Sequence, residues 1–247
     1  MSRFAVILPA AGRSSRFGGK EKKPYANLDG RPVWLRTVEL FVTRDDICQT
    51  ILIVSPEDRE LFRTRYAANI AFMDVQIVEG GAERFDSVAS ALAKLKDEAE
   101  FVAIHDAVRP CLESTLTDAV FKKATETGAA ILGIPISDTI KRVDAQKQVQ
   151  ETVNRQGLWQ AQTPQVFRRD WIVEAYGERA KLGKEITDDA RLIEAAGHTV
   201  HVVEGSPSNI KITTQGDLFL AKAILQSRPA PKPKGPAHPF AEEEMWR

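Results

Sequence analysis

The residues able to do chemistry in this chain begin with a glycine-punctuated, strongly cationic loop, Gly12-Arg-Ser-Ser-Arg16-Phe-Gly-Gly19-Lys-Glu-Lys-Lys23-Pro. It follows directly on the apolar run Phe4 to Leu8 and on Pro9, Ala10 and Ala11. Gly12, Gly18 and Gly19 let the backbone bend so that N–H groups face phosphate oxygens. Arg13, Arg16, Lys20, Lys22 and Lys23 supply the opposing charge, so the segment predicts a cradle for a nucleoside triphosphate. Two better-known phosphate loops do not fit. A Walker loop needs Gly-x4-Gly-Lys-Ser/Thr, but Ser14 stands at the first glycine and Glu21 at the hydroxyl. The dinucleotide fingerprint fails because Ser14 stands where its second glycine should be.

Gly80, Gly81, Arg84 and Ser87 form a second glycine-containing turn ahead of a helical pattern. Such a turn lets the backbone approach a planar base or a ribose, although Ser87 would also serve as a plain N-cap. His105-Asp106 ends an otherwise apolar run. A carboxylate there can hold Mg2+, which favours one or two carboxylates plus substrate phosphates. Asp106 could equally cap a helix or pair with Arg109.

These residues need a frame. Apolar runs at Phe4 to Leu8, Thr50 to Val54, Val75 to Val78, Phe101 to His105 and Ala129 to Ile134 alternate with helical patterns at Val33 to Val42, Glu57 to Tyr66, Ser87 to Leu95 and Thr115 to Thr125. That rhythm predicts a parallel sheet wound with crossover helices. Ligands of such sheets bind beyond the carboxyl ends of the strands, where the residues after Leu8, Val78 and Ile104 converge. From 136 to 158 the pattern shortens to alternating pieces around the polar turn Asp144-Ala-Gln-Lys. This predicts a β-hairpin arm, marginal alone and suited to pairing with a second subunit. Helices near Asp170 to Lys181 and Asp188 to Ala196 follow, the second N-capped by Thr187 and ended at Gly197, then a strand at Thr199 to Val203 and a helix after Thr214. Residues 228–247 are proline-rich and read as a disordered tail.

Lys+Arg and Asp+Glu are both 34 in 247 residues, so no excess charge favours nucleic acid or an anionic membrane. Cys48 and Cys111 lie far apart without metal or redox spacing, as in a reducing compartment. No run approaches the roughly 18 apolar residues of a membrane span. A cytoplasmic protein is expected.

The ordered motifs Pro9-Ala-Ala-Gly12 with Arg16 and Lys23, Gly80-Gly-Ala-Glu-Arg-Phe-Asp-Ser87, His105-Asp-Ala-Val-Arg-Pro110, Asp138-Thr-Ile-Lys-Arg142, Arg155-Gln-Gly-Leu-Trp, Gln162-Thr-Pro-Gln165, Ile186-Thr-Asp-Asp189 and Asn209-Ile-Lys211 together resemble the 2-C-methyl-D-erythritol 4-phosphate cytidylyltransferase family. The likeness runs from residue 4 to about 225. It implies an α/β, Rossmann-like, mostly parallel sheet flanked by helices, of the nucleotide-diphospho-sugar transferase type, with a projecting β-arm. Residues 1–227 would be one nucleotidyltransferase domain and 136–158 a dimerisation arm, giving a homodimer. It implies catalytic roles for Arg16, Lys23, Arg155 and Lys211, and a CTP site of Pro9, Ala10, Ala11, Gly12, Arg16, Lys23, Gly80, Gly81, Ser87, Asp106 and Lys211. Arg109, Thr139, Arg155, Thr163 and Thr187 would bind the acceptor, and Asp106 the Mg2+. Asn154, Ala82 and Pro24 depart from the residues common in the family. Pro24 should hold Lys23 extended. A ribitol-5-phosphate cytidylyltransferase, a sugar-1-phosphate or molybdenum-cofactor nucleotidyltransferase, and a non-catalytic nucleotide-binding protein are the alternatives.

Overall fold

Phe4 to Leu8 are all buried because the strand they form lies inside a sheet covered on both faces. Phe4, Val6 and Leu8 pack with Trp34, Phe41 and Val120, while Ile7 points the other way, against Val88, Ile172 and Ile193. Two buried faces leave no place for polar alternation, which is why the run is continuously apolar. The computed structural model describes residues 2–12, 17, 22–179 and 186–228.

Among these residues the strands are β1 (Phe4–Pro9), β2 (Asn27–Leu28), β3 (Arg31–Pro32), β4 (Ile47–Val54), β5 (Val75–Glu79), β6 (Phe101–Ile104), β7 (Ala129–Pro135), β8 (Ile140–Val143), β9 (Val149–Val153), β10 (Trp159–Arg168) and β11 (His201–Glu204). The helices are α1 (Val33–Glu39), α2 (Arg59–Thr64), α3 (Ala67–Phe72), α4 (Arg84–Leu92), α5 (Ser114–Thr127), α6 (Arg169–Gly177), α7 (Asp189–Ala195) and α8 (Gln215–Ser227). Seven strands form the main sheet in the order β11-β7-β10-β6-β1-β4-β5. All neighbours are parallel except β10, which runs antiparallel to both β6 and β7. The fold is therefore α/β with a mostly parallel sheet, as the alternating pattern predicts. Strands β8 and β9 pair only with each other, leaving Val143 and Val149 exposed at the arm. No helix among the described residues is long and apolar enough to cross a membrane.

Several local expectations need correction. The central strand β10 is absent from the pattern reading, because Trp159 to Ala161 are exposed and Pro164 reads as a strand breaker. The structure accommodates that proline at a register shift between Ala161 and Gln165. The expected helix over Glu57 to Tyr66 is a 3-10 turn at Pro56–Asp58 followed by α2, and α3 was not foreseen. The N-cap of α7 is Asp188, whose side chain accepts from the Arg191 N–H, and not Thr187. Ser87 is no N-cap either: Glu83 caps α4 in a box with Asp86. Lys23 is not extended but opens a 3-10 turn, closed by Tyr25 N–H to Lys22 O and Ala26 N–H to Lys23 O. The extended residue is Lys22. Arg16, the other residues of 13–16 and 18–21, and the tail from 229 lie outside the described residues.

Candidate functional site

The carboxyl ends of β1, β4, β5 and β6 open into one cavity of about 660 Å³. Its wall includes Pro9, Ala10, Ala11, Gly12, Lys23, Gly81, Ser87, Asp106 and Lys211. Segments separated by up to two hundred residues thus meet where a parallel sheet binds its ligands. A second cavity of similar volume lies at the opposite end, between Asp97, Thr127, Arg168 and Trp171, and contains none of the residues singled out from the sequence.

The floor beside Ala11 needs glycine for close approach. A Cβ on Gly80 would lie 2.8 Å from Ala11 Cβ and from Ser87 Oγ, and one on Gly81 would lie 2.5 Å from Asp86 Cβ. Ser87 Oγ donates to Glu83 O at 2.9 Å and accepts the Gly81 N–H at 3.1 Å. Its hydroxyl proton is thereby spent on shaping the turn, and one lone pair is left to receive a donor from a ligand.

Asp106 is almost wholly buried at the end of β6. Burial alone would raise its carboxyl, but the charges of Lys211, Arg84 and Arg109 outweigh it and hold the group well below the usual carboxylate range. Lys211 Nζ lies 2.8 Å and Arg109 Nε 3.5 Å from Asp106 Oδ2. Lys211 reaches this point because its neighbours are anchored. Asn209 is fully buried with its amide on Thr163 O at 2.9 Å, and the Ile212 N–H bonds Val108 O at 2.9 Å. No cluster of three His, Cys, Asp or Glu side chains able to hold a metal occurs among the described residues. A single ionised carboxylate on the cavity wall suits Mg2+ that completes its shell with phosphate oxygens and water.

Lys22 and Lys23 both stand on the cavity wall, and the carboxylates that follow β4 close on Lys22. Lys22 Nζ is held by both oxygens of Asp58 at 2.8 and 2.9 Å, by Ser55 Oγ at 3.1 Å and by Glu57 at 3.3 Å, so its charge is neutralised locally.

The sequence profile described as 2-C-methyl-D-erythritol 4-phosphate cytidylyltransferase matches residues 4–227. The chain belongs to this family. The relative of that name from Rhodopirellula baltica is 44% identical over 232 residues, covering 90% of this chain and 94% of the relative. That from Alkaliphilus oremlandii is 38% identical over 229 residues, covering 92% and 97%. The crystal structure of 4-diphosphocytidyl-2C-methyl-D-erythritol synthase from Anaerococcus prevotii superposes with a TM-score of 0.78 at 30% identity, covering 91% of this chain and 96% of that one. The Francisella tularensis cytidylyltransferase gives 0.78 at 28% identity, covering 90% and 100%.

The residues that the family resemblance assigns to the acceptor do not line this cavity. Arg109 and Thr163 are largely buried behind Asp106. The Arg109 guanidinium donates to Asn209 O at 2.6 Å, and Thr163 Oγ accepts the Asp106 N–H at 3.2 Å. Thr139, Arg155 and Thr187 are exposed on the arm and at the start of α7. Asn154, which departs from the family pattern, accepts the Gln156 N–H at 3.0 Å and so shapes the turn that carries Arg155.

Sequence reasoning passed over one strut of the site. Arg84, on the cavity wall, makes a two-pronged ion pair with fully buried Asp189 at 2.6 and 3.0 Å, and Asp189 also accepts from the Tyr176 hydroxyl. Burial works against the Arg84 charge, yet Asp189 holds it firmly protonated. Both residues fall inside recognisable motifs, but their pairing across 105 positions has no local signature.

Proposed function

We propose that the chain transfers the cytidylyl group of CTP to 2-C-methyl-D-erythritol 4-phosphate, giving 4-diphosphocytidyl-2-C-methyl-D-erythritol and pyrophosphate. The observation that carries this reading is the gathering of Pro9 to Gly12, Lys23, Gly81, Ser87, Asp106 and Lys211 around one cavity at the carboxyl edge of the sheet. An oxygen of the acceptor phosphate forms a bond to the α-phosphorus of CTP as the bond from that phosphorus to the bridging oxygen breaks, and pyrophosphate leaves with the electron pair. The nucleophile is already an anion, so the chain supplies no general base. Its task is to hold two anions in line and to offset the charge growing on the α-phosphoryl oxygens.

Lys23 and Lys211, together with Arg16 of the first loop, supply that charge. Gly80, Gly81 and Ser87 take the cytosine and ribose, with the Gly81 backbone held in place by Ser87. Asp106 would hold Mg2+, which when bound neutralises phosphate charge. Arg155, with Thr139 and Thr187, binds the acceptor phosphate, while Arg109 and Thr163, which the family resemblance also assigns to the acceptor, support Asp106 from behind. Because Arg155 sits on the exposed arm, we assign the arm to a homodimer in which it completes the partner's site. The cytoplasm suits Cys48 and Cys111, both free thiols.

Pyrophosphate release with Mg2+ and CTP, offering methylerythritol phosphate and ribitol phosphate in parallel, tests the reading. Release with the first acceptor, and a loss of about 10²-fold or more in Lys211→Ala, are expected. Preference for ribitol phosphate, or wild-type turnover in Lys211→Ala, would overturn the corresponding assignment.

A further inference from the structure

His105 has no part in the chemistry above, yet it is fully buried one residue before Asp106, its ring edge-on to Phe41 with centroids 5.3 Å apart. In the neutral ring its hydrogen bonds admit only one arrangement of protons. Nε2 lies 3.1 Å from the carbonyl oxygen of Arg109. A carbonyl can only accept, so Nε2 carries the proton and Nδ1 is the acceptor. Nδ1 lies 3.0 Å from Thr163 Oγ, which therefore donates to it and keeps a lone pair for the Asp106 N–H at 3.2 Å.

The remaining links close a ring. Arg109 Nη1 donates to Asn209 O at 2.6 Å, and Asn209 Nδ2 donates to Thr163 O at 2.9 Å. The ring joins three stretches distant in sequence: the end of β6 with Asp106, the interrupted middle of β10, and the segment that presents Lys211. His105 is the member that uses both ring nitrogens, one toward each side. Its side chain is absent from the cavity wall.

We propose that His105, protonated on Nε2 and accepting on Nδ1, is a positioning residue that holds Asp106 and Lys211 in register for the reaction through Thr163, Arg109 and Asn209. This rests on the cytidylyl-transfer reading of the cavity. Phe at this position would keep the ring packing and lose both hydrogen bonds. Asn would keep an acceptor near the Nδ1 position and so the tie to Thr163.

The test compares wild type, His105→Phe and His105→Asn in pyrophosphate release with CTP and methylerythritol phosphate, each with its melting temperature. It adds a long-range 1H–15N spectrum of the wild-type histidines, assigned by the signal lost in His105→Asn. We expect kcat to fall about tenfold or more in His105→Phe, His105→Asn to recover part of the loss although it fills the space less well, and the spectrum to place the proton on Nε2. A residue that only packs would reverse the order, with Phe the better substitute. Undiminished kcat in His105→Phe, no recovery in His105→Asn, or a proton on Nδ1 would overturn the proposal. The spectrum decides even where one variant does not fold, the His105 signal being assigned then from the other. A wild-type protein inert toward both substrates refutes the transfer reading instead, and leaves the spectrum to judge the ring.

Discussion

Asp189→Asn tests whether the Arg84 strut is held by charge. Asp189 is fully buried and meets Arg84 at 2.6 and 3.0 Å, while the Arg84 side chain keeps 32% of its surface exposed. The substitution removes the negative charge and turns an amide NH2 toward one guanidinium nitrogen, donor against donor. Breaking a buried pair by losing one partner costs about 3–5 kcal/mol. The partial exposure of Arg84 lets water screen the stranded cation, so we take the lower end, about 3 kcal/mol. In a chain of this size each kcal/mol shifts the melting temperature by about 2–4 °C, for a fall of about 6–12 °C. Differential scanning calorimetry measures it directly. The charge argument also makes a second demand, that Asp189→Leu combined with Arg84→Met melts above Asp189→Asn, because no charge is then stranded. A melting temperature within about 2 °C of wild type for Asp189→Asn would refute the reasoning, as would a double variant less stable than the single one.

Two further outcomes follow from the geometry. Gly81→Ala would place a Cβ 2.5 Å from Asp86 Cβ, so the turn must shift away from α4; titration calorimetry should show CTP affinity falling about tenfold or more, and unchanged affinity would clear the turn of a role in binding. Burial pushes His105 down to about 4, below the roughly 6.5 of an unfolded histidine. Above pH 6.5 neither state is protonated at this residue and its contribution is complete. As pH falls toward 4 the unfolded chain binds a proton that the native ring resists, and about 3 kcal/mol is lost. Urea midpoints across that window should fall in wild type and change less in His105→Phe; parallel curves would contradict this. The contribution of Asp106, whose carboxyl is held low in the fold, is lost mainly below that window, as pH falls through the unfolded value of 3.8.

Much of the site is legible in the sequence because its residues stand immediately after short apolar runs, and the ends of parallel strands must converge. Gly12, Gly81 and Asp106 each follow such a run. The two lysines at the end of the first loop show where that legibility stops. Lys22 and Lys23 are the same residue type at adjacent positions, and only the fold shows that Ser55 and Asp58 close on Lys22. The strand β10 escapes for a related reason: exposed polar residues and a proline weaken its local signal, while its partners β6 and β7 lie far away in sequence. Thr187 and Ser87 are plausible caps by residue type, and the caps fall one and four residues earlier or later because neighbouring acidic side chains do the same work.

The place where the arm leaves the sheet has a consequence for how such a protein can vary. Pro135 at the end of β7 is directly opposite Trp159 at the start of β10, so these antiparallel neighbours would already make a hairpin if a short turn joined them. Residues 136–158 are topologically a long insertion at the tip of that hairpin. They can lengthen, shorten or exchange their contacts without re-threading any strand of the main sheet or moving the cavity floor at the ends of β1 and β5. The arm and the cavity at the carboxyl edge of the sheet are thus separable parts of one chain, free to diverge at different rates.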